Sequence, residues 1–257
     1  MIRFLELVHQ REGLLGTWIK LPCVESVELM ALAGFDFIVL DLEHSPMSLQ
    51  TASTLVAVAN GRGLAPLIRT PDHSPAVIQR CLDAGASGVV VPHVDNPEQA
   101  ATVGRAARFE PAGTRGVGPT SRAGDWGLSP VPEYLGSDAH AAVVAQIESA
   151  AGVRAAAQIA SDGHADALFV GTADLSVSLG RPADHPDVTD LVQQVVDDCR
   201  GAGLPCGTAT GADPRRANTL FAQGFTFVML SNDATMLGAG ARDLVSGARA
   251  AAAERTG

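Results

Sequence analysis

Residues 33–46 read AGFDFIVLDLEHSP, and their order decides the fold. Gly34 follows a helix-like segment (25–33, ESVELMALA), where a glycine in the left-handed conformation closes a helix. Residues 35–42 (FDFIVLDL) are rich in Phe, Ile, Val and Leu, as in a parallel strand buried on both faces. That strand runs directly into Asp41-Leu42-Glu43-His44, so its charge is gathered at its C-terminal tip. Helix end, glycine, buried strand and polar tip form one unit of an alternating α/β chain.

The unit recurs in both directions. The helix-to-strand junctions Ala-Gly-Ala-Ser (84–87) and Gln-Gly-Phe-Thr (223–226) match Ala-Gly-Phe-Asp (33–36). Further strands are expected at 16–21, 65–70, 86–94, 142–148, 165–171, 204–209 and 225–231, eight in all. Helices are expected at 48–60, 74–84, 97–109 and 188–200, with an Ala-rich one at 233–254, marked by Ser or Asn before them, Pro in the first turn, or Gly after them. The long irregular stretch 111–138, rich in Gly, Pro, Ser and Arg, is a functional loop by its length. Eight strands alternating with helices over residues 1–257 predict a single-domain (β/α)8 TIM barrel. A doubly wound open sheet is the alternative. It lacks the GxGxxG turn after its first strand that nucleotide binding would require, so no nucleotide cofactor is expected.

Composition narrows the chemistry. Lys20 is the only lysine. A Schiff-base lysine or a pyridoxal cofactor would therefore rest on Lys20 alone, and neither is expected. A net charge of −10 argues against a nucleic-acid partner. No apolar run reaches the roughly 18 residues of a membrane span. The charged N-terminal stretch 1–13 has no leader-like apolar segment. A soluble cytoplasmic protein is expected. Cys23, Cys81, Cys199 and Cys206 have no metal-site spacing and read as free thiols in packing.

In such a barrel the site lies at the C-terminal ends of the strands. The strand tips there carry Asp41, Glu43 and His44, then Arg69, then Gln146 and Glu148, then Gly171-Thr172-Ala173-Asp174. Glu148 and Asp174 could share a hard divalent cation, or each could cap the helix that follows it. Arg69 could bind a carboxylate or phosphate, or pair with Asp41 or Glu43. His44 could be a general base or a structural histidine, and His93 is a second candidate of the same kind. His9, His73, His140, His164 and His185 read as solvated.

These residues sit in segments that resemble the HpcH/HpaI aldolase family, the metal-dependent pyruvate aldolases of the phosphoenolpyruvate/pyruvate barrel superfamily. The segments are 33–46, LIRT (67–70), LDAGASGVVVPHV (82–94), GTRGVG (113–118), SRAGDW (121–126), QIES (146–149) and LFVGTADLSVSLG (168–180). The resemblance implies that Glu148 and Asp174 ligate Mg²⁺, Mn²⁺ or Co²⁺, and that pyruvate chelates this metal. It implies that Arg69 contacts the enolate oxygen. His44 would act as acid and base, paired with Asp83, and the backbone of 171–174 would hold the carboxylate. The substrates would be 4-hydroxy-2-oxo acids of the 2-keto-3-deoxy-sugar-acid or alkanedioate type, cleaved reversibly to pyruvate and an aldehyde. A decarboxylase or synthase using an oxaloacetate-like acid through the same enolate is the alternative. A homo-oligomer is also implied, a hexamer or trimer of dimers exchanging C-terminal helices.

Two positions depart from the family pattern. Thr172 stands where proline is usual, and His93 where an apolar residue such as methionine is common. The aldehyde pocket is expected from residues 113–127, Trp18 and residues 208–210. Arg115 and Arg122 either meet an acidic substrate tail or pair with Asp125 or Glu110.

Overall fold

The computed structural model describes residues 3–11 and 13–254. Met1, Ile2, Glu12 and residues 255–257, which the single-domain expectation also spans, lie outside the described residues. The elements are, in order, α1 (Phe4–Gln10), β1 (Leu14–Ile19), α2 (Val24–Ala33), β2 (Phe37–Asp41), α3 (Leu49–Arg62), β3 (Ala65–Arg69), α4 (Pro75–Asp83), β4 (Gly88–Val91) and α5 (Pro97–Ala107). A 3-10 turn (Arg122–Gly127), α6 (Val131–Gly136) and a second 3-10 turn (Ser137–His140) come next. The chain continues with β5 (Ala142–Ile147), α7 (Ala150–Ser161), β6 (Ala167–Val170), α8 (Thr172–Leu179), α9 (Pro186–Ala202), β7 (Cys206–Thr210), α10 (Pro214–Gln223), β8 (Phe227–Asn232) and α11 (Asp233–Glu254).

Among the described residues, eight strands pair in chain order and β8 closes on β1, every pairing parallel. The expected (β/α)8 barrel therefore forms, and the open-sheet alternative does not. The punctuation works as expected. Ser48 accepts from the Thr51 amide and Asn96 from the Gln99 amide, each satisfying a free helix N–H. Gly34, Gly85 and Gly224 take positive φ of 91°, 88° and 108°. A side chain would be strained at each of them. Strand β4 ends at Val91, earlier than the expected 94. Pro92 has no amide to donate. His93 then turns left-handed, with φ at 56°. The stretch 111–138 is irregular over 111–121, and three short helical turns follow from Arg122 onward.

Alternation sorts the strand residues. Phe37, Val39, Ala65, Leu67, Ala142, Val144, Phe169 and Phe227 fill the barrel interior. Ile38, Leu40, Ile68, Val89, Val91, Val143 and Ile147 face the helices. Both faces are dry, which is why the strands read as continuous apolar runs. The same parity carries Asp41 and Arg69, register partners, to the inner top.

The lower end is plugged from α1, an element that sequence reasoning missed. The Phe4 ring lies 5.1 Å from Phe37 and 5.2 Å from Phe227, both edge-on. Edge-on contact sets the positive rim of one ring against the negative face of the next. Gly16 and Gly207 make room for this cluster. A Cβ on Gly16 would collide with the Phe37 ring, and one on Gly207 with the Phe227 ring. No helix among the described residues is long and apolar enough to cross a membrane.

Candidate active site

The mouth begins with Asp41, the last residue of β2 and fully buried. Arg69 Nε donates to its Oδ1 at 3.0 Å and Arg69 Nη2 donates to its Oδ2 at 2.7 Å. The two parallel bonds make a bidentate fork. Arg69 Nη1 also lies 3.2 Å from Glu43 Oε2. The guanidinium rests over the Trp18 ring, 4.1 Å from its centroid, close enough for a cation–π attraction. Lys20 Nζ donates to Asp41 Oδ2 at 2.6 Å, and the Glu43 and His44 amides donate to Oδ1. Burial pushes the Asp41 carboxyl up, but the hydrogen bonds and charge of Arg69 and the Lys20 bond outweigh it. They hold it well below the usual carboxylate range. Arg69 thus makes both the Asp41 and the Glu43 pairings while keeping its place at the mouth.

Glu148 follows β5 and is buried. Its Oε1 accepts from the His93 amide at 2.7 Å and lies 2.9 Å from His93 Nδ1. Its Oε2 accepts from Gln146 Nε2. It caps nothing: Ser149 caps α7 by accepting from the Gly152 amide. Burial pushes the Glu148 carboxyl up, and the charge of Asp174 adds to this against the Gln146 and His93 bonds. Asp174, exposed in the first turn of α8, therefore lies within electrostatic reach. Gly171 closes the cradle, since a Cβ there would sit 2.8 Å from Glu148 Cβ and 2.9 Å from Oε2.

This arrangement suits a hard divalent cation. Gln146 Oε1 is buried without a partner, and so is Glu43 Oε2, whose Arg69 contact is out of line for a hydrogen bond. Four carboxylates (Asp41, Glu43, Glu148, Asp174) face two permanent cations, Lys20 and Arg69. Among the described residues no three His, Cys, Asp or Glu side chains form a closed metal cage. A carboxylate pair with open positions matches the requirements of Mg²⁺ or Mn²⁺, which keep waters or substrate oxygens.

His44 is mostly exposed, its Nε2 3.6 Å from Glu43 Oε2. His93 reaches across the mouth, with Nε2 3.5 Å from Glu43 Oε1. His73, expected to be solvated, instead lies with Nε2 2.7 Å from the Pro92 carbonyl. The amides of Thr172, Ala173 and Asp174 open the eight-residue α8, where helical N–H groups lack intrahelical partners. Thr172 Oγ1 lies 3.5 Å from Thr208 Oγ1, a threonine contact that sequence reasoning did not anticipate.

Three expected site residues fall elsewhere. Asp83 ends α4, which starts beyond the top of β3 and runs back along the barrel. At the helical rise per residue, the length of α4 carries it roughly 13 Å away from the mouth. The expected pairing of Asp83 with His44 does not occur within one chain: its Oδ1 accepts from Arg115 Nη2 at 2.8 Å. Arg115 thus meets neither Asp125 nor Glu110. Arg122 stacks on Trp126, 5.4 Å from its ring centroid. The segment 113–127 connects α5 to β5 and so lies at the N-terminal end of the strands, away from this chain's own mouth. Cys206 starts β7 and packs with Cys199 in the core between strands and helices, away from the mouth; that contact and burial push its thiol up.

Comparison with known proteins is consistent with this geometry. A profile of the HpcH/HpaI aldolase/citrate lyase family matches residues 14–238. The chain is 35% identical over 235 residues to a 5-keto-4-deoxy-D-glucarate aldolase of Salmonella arizonae, covering 90% of each chain. It superposes on an HpcH/HpaI aldolase/citrate lyase family protein from Burkholderia cenocepacia with a TM-score of 0.89 and 31% identity, covering 95% of this chain and 98% of that one. The citrate synthase SbnG matches with a TM-score of 0.88 and 25% identity over 98% of this chain and 99% of that one.

Proposed function

Because the chain belongs to the HpcH/HpaI aldolase/citrate lyase family, we propose that it is a metal-dependent aldolase. It cleaves a 4-hydroxy-2-oxo acid reversibly to pyruvate and an aldehyde. The observation carrying this reading is the buried Glu148 at the tip of β5, with Asp174 in the first helical turn after the neighbouring β6 and the Gln146 Oε1 left without a partner; two such carboxylates repel unless a cation joins them. A Mg²⁺, Mn²⁺ or Co²⁺ ion held by Glu148 and Asp174 would supply positive charge to the keto-acid oxygens.

The chain's own residues supply the rest. Arg69, locked by Asp41 and Trp18, presents a rigid cation to the oxygen that becomes anionic when the C–C bond breaks. The amides opening α8 point at the substrate carboxylate, favoured by the helix dipole. Gly171 keeps that approach clear, and Gln146 orients Glu148. His44 takes the proton from the 4-hydroxyl in cleavage and returns it in synthesis. Trp18 walls one side of the substrate.

The similarity to 5-keto-4-deoxy-D-glucarate aldolases favours a substrate with a second, distal carboxylate. We assign the whole chain to one aldolase domain acting as a homo-oligomer. Asp83 and His44 sit at opposite ends of one barrel, so their pairing joins His44 of one copy to Asp83 of another. Arg115 and the 113–127 segment come to that mouth with it. The C-terminal helix α11 exposes Leu237, Leu244 and Val245, and an exposed apolar stripe of that kind fits an exchanged helix in a hexamer.

A chelator should abolish pyruvate release from 5-keto-4-deoxy-D-glucarate, and Mn²⁺ or Mg²⁺ should restore it. Full activity in chelator would sink the metal assignment. The similarity to a citrate synthase supports a second reading, a synthase or decarboxylase using an oxaloacetate-like acid through the same enolate. Mass spectrometry of products from pyruvate and a panel of aldehydes, or from oxaloacetate, separates the two.

A further inference from the structure

Lys20, the only lysine of the chain, has a place in the mouth that the proposed chemistry leaves unused. Its turn is locked from the far end of the chain. Asp233, buried at the start of α11, accepts from the Lys20 amide at 2.9 Å, the Leu21 amide at 3.1 Å and the Ala234 amide at 2.8 Å. From this fixed turn the side chain reaches Asp41 Oδ2 at 2.6 Å. Arg69 Nη2 donates to that same oxygen.

The sharing has an electrostatic consequence. Without Lys20, the Arg69 guanidinium would face Asp41 and Glu43 together, one cation against two carboxylates. An anionic oxygen approaching that group would meet net negative charge. With Lys20 the four groups are formally neutral, and Arg69 keeps its attraction for an incoming anion. Around the buried Asp41 and Arg69 such a difference is felt over several ångströms.

We propose that Lys20 is a positioning residue for anion recognition. Its ammonium takes up part of the Asp41 charge, so that the Arg69 charge is left to attract an incoming 2-oxo acid anion and to serve its developing enolate oxygen. It forms no bond to the substrate. This inference rests on the aldolase reading of the same mouth.

The test uses full-length protein loaded with Mn²⁺ and compares wild type, Lys20→Met and Lys20→Arg. Calorimetry measures the affinity for oxalate, a planar dianion resembling the enolate, and steady-state kinetics measures the keto-acid KM and kcat. Lys20→Met should weaken oxalate binding and raise KM by about tenfold, the loss of one favourable charge at this range. Its kcat should fall less than its KM rises, and its Mn²⁺ affinity should hold. Lys20→Arg should recover most of the lost affinity, because it restores the charge.

Oxalate binding by Lys20→Met equal to wild type would overturn the Lys20 assignment alone. Failure of wild type to bind oxalate with Mn²⁺ would overturn the aldolase reading, and this inference with it. A borohydride-trapped pyruvate adduct on Lys20 of the wild type would also overturn it, in favour of a covalent role. A Lys20→Met protein that does not fold leaves Lys20→Gln and the direct contact. With its one lysine reductively ¹³C-methylated, the wild type shows a single side-chain resonance. Asp41→Asn should shift that resonance, and no shift means the pair is absent.

Discussion

Arg69 and Arg115 are a matched pair at opposite ends of the barrel. Each side chain is nearly buried, 7% and 2% exposed, and each meets an aspartate. Each lies over an aromatic ring, Trp18 at 4.1 Å and Phe109 at 4.6 Å. They differ in what surrounds the pair. Arg69 grips Asp41 through two bonds, on a strand whose register places the two residues side by side. Lys20, Glu43 and the Glu148–Asp174 pair crowd the same mouth. Arg115 makes one bond to Asp83, and its Nε is buried without a partner. The same two residue types thus form a rigid charged wall at one end. At the other they form a looser contact with hydrogen-bonding capacity left over, as an interface would use.

Arg69→Met should break the comparison hardest, lowering turnover by about a thousandfold, as loss of an oxyanion donor does. A near wild-type rate would make Arg69 merely another Arg115. Glu148→Gln should weaken Mn²⁺ binding by about a hundredfold, read by calorimetry, since one charged oxygen ligand of two is gone. Unchanged affinity would remove the metal from this end. His44→Ala should lower kcat by about a hundredfold, the lower range for a general acid–base group, with Mn²⁺ affinity held. A normal rate would pass that role to His93.

Arg115→Met tests the other end. It leaves Asp83 short of its partner, so denaturant unfolding should show a loss of about 3 kcal/mol. Turnover of the folded fraction should fall by about tenfold, far less than for Arg69→Met, because Arg115 acts on a neighbouring mouth only through Asp83. Unchanged turnover would place Arg115 and Asp83 away from every mouth. The smallest effect separates two carboxylates of one mouth by pH. The folded-state pKa of Asp41 is depressed. Its stabilisation is therefore complete above the unfolded value of about 4 and is lost as pH falls below it. The folded-state pKa of Glu148 is raised. Its contribution is therefore fully present below the ordinary value and declines as pH rises through the raised one. In metal-free protein, Asp41→Asn should flatten the acid limb of the stability curve and Glu148→Gln the limb above it. Identical curves for both variants would erase the distinction.

The strands and their charged tips were legible in the sequence for a simple reason. Two-sided burial forces continuous apolar runs, and alternation then fixes which residue ends each run on the inside. Asp41, Arg69, Gln146 and Glu148 follow from that rule. What was hidden depends on contacts distant in sequence or on backbone turns. The Lys20–Asp41 pair, locked by Asp233, joins both ends of the chain. Arg115 finds Asp83 across 32 residues rather than a nearby acid. His93 meets Glu148 because its backbone turns left-handed, which no residue pattern announces. Phe4 reads as an ordinary helix residue until Gly16 and Gly207 are seen to leave space beside the rings it touches.

With that aromatic floor under an interior already filled by side chains, the barrel has no through-passage among the described residues. Chemistry is confined to its charged rim. On the aldolase reading, both fragments of a cleaved acid would have to come and go by the same face, so the fragment lying deeper would hold the place that the next substrate needs.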